Sequence, residues 1–298
     1  MANSPRILVV GSSNTDLVLS CPALPRPGET LLGGEFQRHQ GGKGANQAVA
    51  AARAGGNVVF IGARGDDDFG RAASASLKGE GINVRHFIAK PGLSSGVALI
   101  LLGGKSRENI IGVAKSANDA LTLSDLRAVK SEFAKAAVIV AQLETPLPVV
   151  MEAARLAKHH HIPFLLNPAP ARELPASLLK LVHTLTPNEH EATAMTGERE
   201  PHRAAHRLLE KGCRQVVVTL GAKGALLVDN TGVYAFAAPK VKPVDTVGAG
   251  DCFSGWLAMG IAEKLPIAAA ITRALRAASL SVTRHGAQPG MPFRREVA

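Results

Sequence analysis

The alternation of short apolar runs with segments of helical periodicity constrains this chain more than any other feature. Residues 6–10 read as a buried strand, and 44–54 as an Ala-rich helix with Ala45, Ala48, Val49 and Ala52 on one face. A strand over 57–61 and a glycine-closed helix over 69–79 follow. Residues 138–143 and 164–167 are further buried strands, with helical periodicity between them over 146–159. A β-branched strand covers 215–220, and helices cover 249–263 and 266–282. This order predicts an α/β fold, a parallel sheet held between helices. Two stretches break the pattern. Residues 17–40 carry Pro22, Pro25, Pro27, Gly28, Gly33 and Gly34, and 95–113 read as two short strands joined at Gly103-Gly104. Neither has a helix of its own, so both fit an antiparallel lid over one edge of the main sheet. Residues 224–238 read as a hairpin turning at 229–232.

Composition narrows the class. Apolar residues make up 46% of the 298 and charged residues 19%, which excludes a disordered chain. Cys21, Cys213 and Cys252 are odd in number and far apart, so a disulfide framework is not expected and a reducing cytoplasm is. The apolar run at 7–10 is too short for a signal segment, and no stretch approaches the ~20 apolar residues of a membrane span. The formal net charge of +10 invites a nucleic-acid reading. The charges are dispersed, however, and aromatic stacking platforms are scarce, which favours a solvated basic surface and anionic small-molecule ligands.

The strongest motif is Asp245-Thr246-Val247-Gly248-Ala249-Gly250-Asp251, which opens a helical pattern. A glycine turn at a helix start aims unpaired backbone N–H groups at one point, and the helix dipole adds positive potential there, a setting suited to phosphate. Asp251 falls in the first turn, where an ionised carboxylate is expected and could accept a proton from an attacking hydroxyl. The same residues also read as an ordinary helix start capped by Thr246. The motif is neither a P-loop nor a dinucleotide fingerprint. Gly41-Gly42-Lys43-Gly44-Ala45-Asn46 places Lys43 and Asn46 three apart at a helix start, where both can face one pocket. Asn14 and Asp16 follow the first strand and point the same way in extended chain. Glu144 follows another strand end, and ligands of open α/β sheets bind at such ends. Asn188 and Glu191 open a helix as Asn-x-x-Glu, which suits either a hydrated Mg²⁺ or a helix cap. Thr219-Leu220-Gly221-Ala222-Lys223-Gly224 closes a further strand with glycines, as a nucleotide's base and ribose would require. His159-His160-His161 is not expected to converge on a metal, and Cys252 reads as a packed residue.

Taken in order, these segments, with Asn167-Pro168-Ala169-Pro170-Ala171, Thr186-Pro187-Asn188-Glu189-x-Glu191 and Gly286-Ala287-Gln288-Pro289, resemble the ribokinase-like (PfkB) sugar-kinase family over nearly the whole chain. The resemblance implies a three-layer α/β/α fold with a mostly parallel central sheet and a small β-lid formed by 17–40 and 95–113. It implies transfer of a phosphoryl group from ATP to the 5-hydroxyl of D-ribose. Asp251 is then the base, with the amides of Gly248, Ala249 and Gly250 as anion hole. Asn14, Asp16, Gly42, Lys43, Asn46 and Glu144 match sugar positions. Asn188 and the segment Thr219, Leu220, Gly221, Ala222, Lys223 and Gly224 match ATP positions, with Gly250 beside the phosphates and Glu191 near Mg²⁺. A monovalent cation, K⁺, maps to Asp245, Val247, Ser281, Arg284, Gly286 and Gly290, and a homodimer through the lid is implied, with no nucleic-acid or membrane partner. Leu275 stands where relatives often carry Asn or His, and Gly290 where they often carry Ser. Deoxyribose, another sugar or a nucleoside as acceptor, and a non-catalytic sugar- or nucleic-acid-binding protein, are the alternatives.

Overall fold

The structure is a computed structural model and describes residues 4–104 and 108–297. Its strands, numbered along the chain, form two sheets. The large sheet contains β1 (Arg6–Val10), β4 (Asn57–Gly65), β5 (Asn83–Lys90), β8 (Val138–Ala141), β9 (Phe164–Leu166), β10 (Thr184–Leu185), β11 (Gln215–Thr219), β12 (Ala225–Asp229) and β13 (Gly232–Phe236). Their order is β13-β12-β11-β10-β9-β8-β1-β4-β5. All neighbours are parallel except the last two pairs at one edge, β11 with β12 and β12 with β13, which are antiparallel. The small sheet has the order β3-β2-β6-β7, from β2 (Asn14–Cys21), β3 (Glu35–Gly41), β6 (Gly96–Gly103) and β7 (Glu108–Ala114).

Alternation along each central strand divides the interior into two cores. Ile7, Val9, Val138, Val140 and Val217 enter one, with the helices Lys43–Arg53, Asp68–Gly79, Ala249–Ala262 and Ile267–Ser281. Leu8, Val10, Ile139, Ala141, Val216 and Val218 enter the other, with the helices Leu147–His159, Glu189–Thr196 and Pro201–Glu210. The result is three layers, α/β/α, as expected. Few aromatics are needed because Ala-rich helices approach the sheet and each other closely. One such close crossing is at Gly255, where an added Cβ would lie 2.6 Å from both the Ala50 Cβ and the Gln47 carbonyl oxygen. That crossing brings the helix carrying Asp251 against the helix carrying Asn46.

The structure corrects the expected lid in two respects. Its two hairpins are antiparallel internally, but β2 and β6 pair in parallel, so the small sheet is mixed. Its first strand also starts at Asn14 rather than 17, because Asn14 already pairs with Gly41 and Gly96. Residues 105–107 of the expected second hairpin lie outside the described residues. Among the described residues, no helix is long and apolar enough to cross a membrane, and the three cysteines are free.

Candidate active site

The carboxyl ends of β1, β8, β9, β10 and β11 converge on the start of the helix Ala249–Ala262. Gly248 precedes that helix with φ +76°, a left-handed conformation that glycine adopts without strain. Among the described residues no side chain caps the helix, so the expected Thr246 side-chain cap is absent; the Thr246 carbonyl instead accepts a long 3.3 Å bond from the Ala249 amide. Gly248, Ala249, Gly250 and Asp251 line a cavity of about 170 Å³ with Lys43, Asn188, Glu191 and Thr219. A second cavity of about 470 Å³ shares Thr219, Thr246, Ala249 and Gly250 with it. Its farther walls are mostly apolar, built by Pro239, Val241, Phe253, Leu275 and Val282. The pair forms one elongated cleft, polar at one end and apolar at the other, with a helix N-terminus at the junction.

Asp251 is buried, and both carboxylate oxygens accept side-chain amide hydrogen bonds, from Asn46 Nδ2 and Gln47 Nε2, each at 2.9 Å. Burial pushes its carboxyl above the ordinary range, against the opposing pull of Lys43 and the two amides. Helix position alone does not disclose this upward push. The dipole is present, but the surrounding protein removes the water that would otherwise solvate the charge. Lys43 is half-buried. Desolvation lowers its pKa, but Asp251, Glu144 and Glu191 outweigh that, and the net shift is upward, holding the ammonium charged. Asp16 is raised to about 6, first by burial and then by Glu144 and Asp251. Of these four, Lys43 and Asp251 line the smaller cavity, and Glu144 is bonded to the Lys43 amide.

The remaining polar groups are fixed by short bonds. Glu144 Oε2 accepts from the Ser12 hydroxyl at 2.5 Å and from the Lys43 amide at 2.9 Å. Asn14 Oδ1 accepts from Asn118 Nδ2 at 2.9 Å. Gly42 takes φ +87° and caps the helix that starts at Lys43. Asn188 and Glu191 make the reciprocal capping box, with bonds of 2.8 and 2.9 Å. Glu191 nevertheless lines the smaller cavity, and burial raises its carboxyl, so the cap and the cavity use the same side chain. Thr219 bridges to Asn188, and Gly221, Ala222 and Gly224 line the larger cavity. Leu220 and Lys223 do not. Leu220 packs on the second core, and Lys223 is exposed.

The expected cation residues gather beside this cleft. Asp245 accepts from the amides of Val247 at 3.0 Å and Gly286 at 2.9 Å, tying two loops together. At Gly290 an added Cβ would lie 3.0 Å from the Ser281 carbonyl oxygen and 3.6 Å from that of Arg284, so the two carbonyls face the same small volume. The Arg284 guanidinium turns away to Glu296 at 2.6 Å. Main-chain carbonyls and one carboxylate suit a hard monovalent cation. Among the described residues no cluster of three His, Cys, Asp or Glu offers a metal cage. Cys252 is buried with its thiol pushed up to about 12, which removes it as a nucleophile.

Several groups of the site had no sequence signal. Ser12, Gln142 and Asn118 hold functional side chains only because strands far apart in the chain end together. Gln288 lies inside a quoted motif and Gln47 directly follows one, but nothing local assigns either a partner.

Fold and cleft together define the class: the chain belongs to the pfkB family of carbohydrate kinases, whose pattern matches residues 4–294. It is a carbohydrate kinase. Ribokinase of Haemophilus influenzae is 39% identical over 295 residues, covering 97% of this chain and 96% of that protein. Ribokinase of Bacillus subtilis is 40% identical over 291 residues, covering 98% and 97%. Deoxyribokinase of Salmonella typhi is 38% identical over 292 residues, covering 96% and 95%. The structure of Arabidopsis thaliana ribokinase complexed with ribose and ATP superposes with a TM-score of 0.91 at 29% identity, covering 99% of this chain and 98% of that one.

Proposed function

We propose that the chain transfers the terminal phosphoryl group of ATP to the 5-hydroxyl of D-ribose, giving ADP and D-ribose 5-phosphate. One observation carries the reading: a buried carboxylate, Asp251, stands at the wall where a polar cavity meets the N-terminus of a helix and opens into an apolar cavity. The apolar end accepts the adenine, with Leu275 against the base and Thr219, Gly221, Ala222 and Gly224 along the ribose. The amides of Gly248, Ala249 and Gly250 meet the charge on the moving phosphoryl group. Asn14, Asp16, Gly42, Lys43, Asn46 and Glu144 hold the sugar hydroxyls. Asp251 accepts the 5-hydroxyl proton, and its raised proton affinity brings it nearer the operating pH, which favours general-base catalysis. The transition state is loose, so alignment of acceptor and phosphoryl group supplies most of the acceleration.

Mg²⁺ accompanying ATP neutralises phosphate charge, and Glu191 is the carboxylate placed to reach its hydration shell. K⁺ would be held by Asp245, Val247, Ser281, Arg284, Gly286 and Gly290, steadying the loop before the anion hole. The small sheet is assigned as a lid, with exposed Phe36, Leu99, Ile110, Ile111 and Val113 as the face for a second copy of the chain. The enzyme is assigned to the cytoplasm. A 2-deoxyribose acceptor is the second reading, supported by the Salmonella typhi relative.

The test is ADP release with ribose, 2-deoxyribose, fructose and adenosine, with and without K⁺. Ribose should have the highest kcat/KM, because polar groups matched to its 2-hydroxyl are left unpaired by the deoxy sugar. Asp251→Ala should lower kcat about 10²- to 10⁴-fold while ribose binding persists. A variant turning over at the wild-type rate removes Asp251 as the base.

A further inference from the structure

Asp251 does not meet its two amide donors singly. It lies in the middle of a buried chain of side-chain amides whose polarity is fixed from both ends. On one side Gln288 Nε2 donates to Asn46 Oδ1 at 3.0 Å, so the other atom of that amide, Nδ2, is the one presented to Asp251 Oδ2. On the other side Gln142 Nε2 donates to Gln47 Oε1 at 2.6 Å, so Gln47 presents Nε2 to Asp251 Oδ1. The same Gln47 Nε2 also donates to Asn167 Oδ1 at 3.1 Å, and Asn167 Nδ2 is occupied by the Thr186 carbonyl at 2.8 Å. Gln47 is 0% exposed and Gln142 1%, so no solvent is available to either amide. Among the described residues Gln142 Oε1 has no hydrogen-bond partner. Neither Gln47 nor Gln142 lines the cleft.

We propose that Gln47 and Gln142 are positioning residues for the phosphoryl transfer: Gln142 fixes which end of the Gln47 amide faces Asp251, and Gln47 holds the carboxylate in one rotamer with a hydrogen bond that favours its ionised form. This rests on the assignment of Asp251 as the base. An amide turned the other way would set an oxygen against the carboxylate, which rewards protonation and disables proton acceptance. The unpartnered Gln142 oxygen fits this account, because the site retains a glutamine for its donor end alone. The charged groups facing Asp251 are Lys43 from the helix Lys43–Arg53, Asp16 from β2, Glu144 after β8 and Glu191 from the helix Glu189–Thr196. All of them stay in place when either glutamine is changed.

The experiment compares wild type, Gln47→Met, Gln142→Met, the double variant and Asp251→Ala by steady-state kinetics from pH 5 to 9, with a thermal melt of each. Loss of a hydrogen bond to a charged group predicts a kcat for Gln47→Met about 10- to 100-fold below wild type, at near-constant KM for sugar and ATP. The acid limb of its kcat profile should move to higher pH, because the protonated carboxyl is no longer opposed. Gln142→Met should shift the limb the same way with a smaller loss, and the double variant should match Gln47→Met alone. If Gln47→Met does not fold, the limb of Gln142→Met carries the test. Wild-type kcat and an unmoved limb in the folded variants overturn the proposal, as do losses that multiply in the double variant. If Asp251→Ala itself remains active, the base assignment fails instead, and the two failures are told apart within one data set.

Discussion

Replacing Gly255 with alanine separates the packing of the site from its chemistry. The new methyl carbon would stand 2.6 Å from the Ala50 Cβ and from the Gln47 carbonyl oxygen, and 2.9 Å from the Ala51 nitrogen. Ordinary carbon–carbon contact is about 3.5–4.0 Å, so the two helices must part by about 0.9 Å or tilt equivalently. Two of the three obstructing atoms are backbone, so no rotamer change relieves them. Overpacking of this kind costs about 1–3 kcal/mol, offset by up to about 1 kcal/mol because alanine suits a helix interior better than glycine. For a chain of this size the net loss lowers Tm by only about 2–6 °C. The effect on turnover is larger. Asn46 and Gln47 ride on one helix and Asp251 on the other, so bonds now at 2.9 Å would open toward about 3.5–3.8 Å, beyond effective hydrogen bonding. A misplacement near 1 Å at a reacting group can cost about 100-fold in rate. Gly255→Ala should therefore lose about 10- to 100-fold in kcat while remaining folded at 25 °C. Differential scanning fluorimetry and ADP release measure the two quantities on one preparation. Gly79→Ala is the control, because nothing lies within 4 Å of the position of its added Cβ. A Gly255→Ala protein with kcat within twofold of wild type would refute the claim that this crossing sets the carboxylate.

Two further outcomes follow from charge and shape. Burial, Glu144 and Asp251 raise Asp16 to about 6, so the folded protein holds this proton more tightly than the unfolded chain does. Its contribution to stability is greatest in acid and falls as pH rises through about 6, leaving a cost of about 3 kcal/mol at higher pH. Asp16→Asn should show a higher urea midpoint than wild type at pH 8, with the gap closing toward pH 4, while sugar KM rises. An equal gap at both pH values would contradict the assigned cause. Leu275 is buried in the wall of the 470 Å³ cavity. Leu275→Glu places a carboxylate against the nucleotide and should raise KM for ATP at least about tenfold, with KM for ribose unchanged. A parallel rise in both constants would remove this cavity from nucleotide binding.

The sequence disclosed what local pattern can carry. The strand at Arg6–Val10, the helix Lys43–Arg53 and the helix Ala249–Ala262 each fall within one or two residues of their expected bounds. Residues 245–251 stand out locally as a glycine turn before a helix, a pattern that an ordinary helix start also produces. β10, at two residues, is too short to show a period, and β5 mixes Arg85, His86 and Lys90 into its apolar alternation. The parallel pairing of β2 with β6 joins segments about eighty residues apart, and no local signal selects it over the antiparallel choice. The same limit hid the roles of Gln47 and Gln142, which are ninety-five residues apart. The upward push on the Asp251 carboxyl is hidden for a related reason. Helix position is written in the neighbouring residues, whereas exclusion of water depends on what the rest of the chain places above it.

The Asp251 carboxylate takes its donors from residues 205 and 204 positions earlier, and Asn46 takes its own from 242 positions later. An unfinished chain on the ribosome can therefore build most of the parallel sheet yet hold no working centre until Gln288 has emerged. Fragments cut within the intervening segments separate the carboxylate from its donors and lack part of this hydrogen-bonded chain.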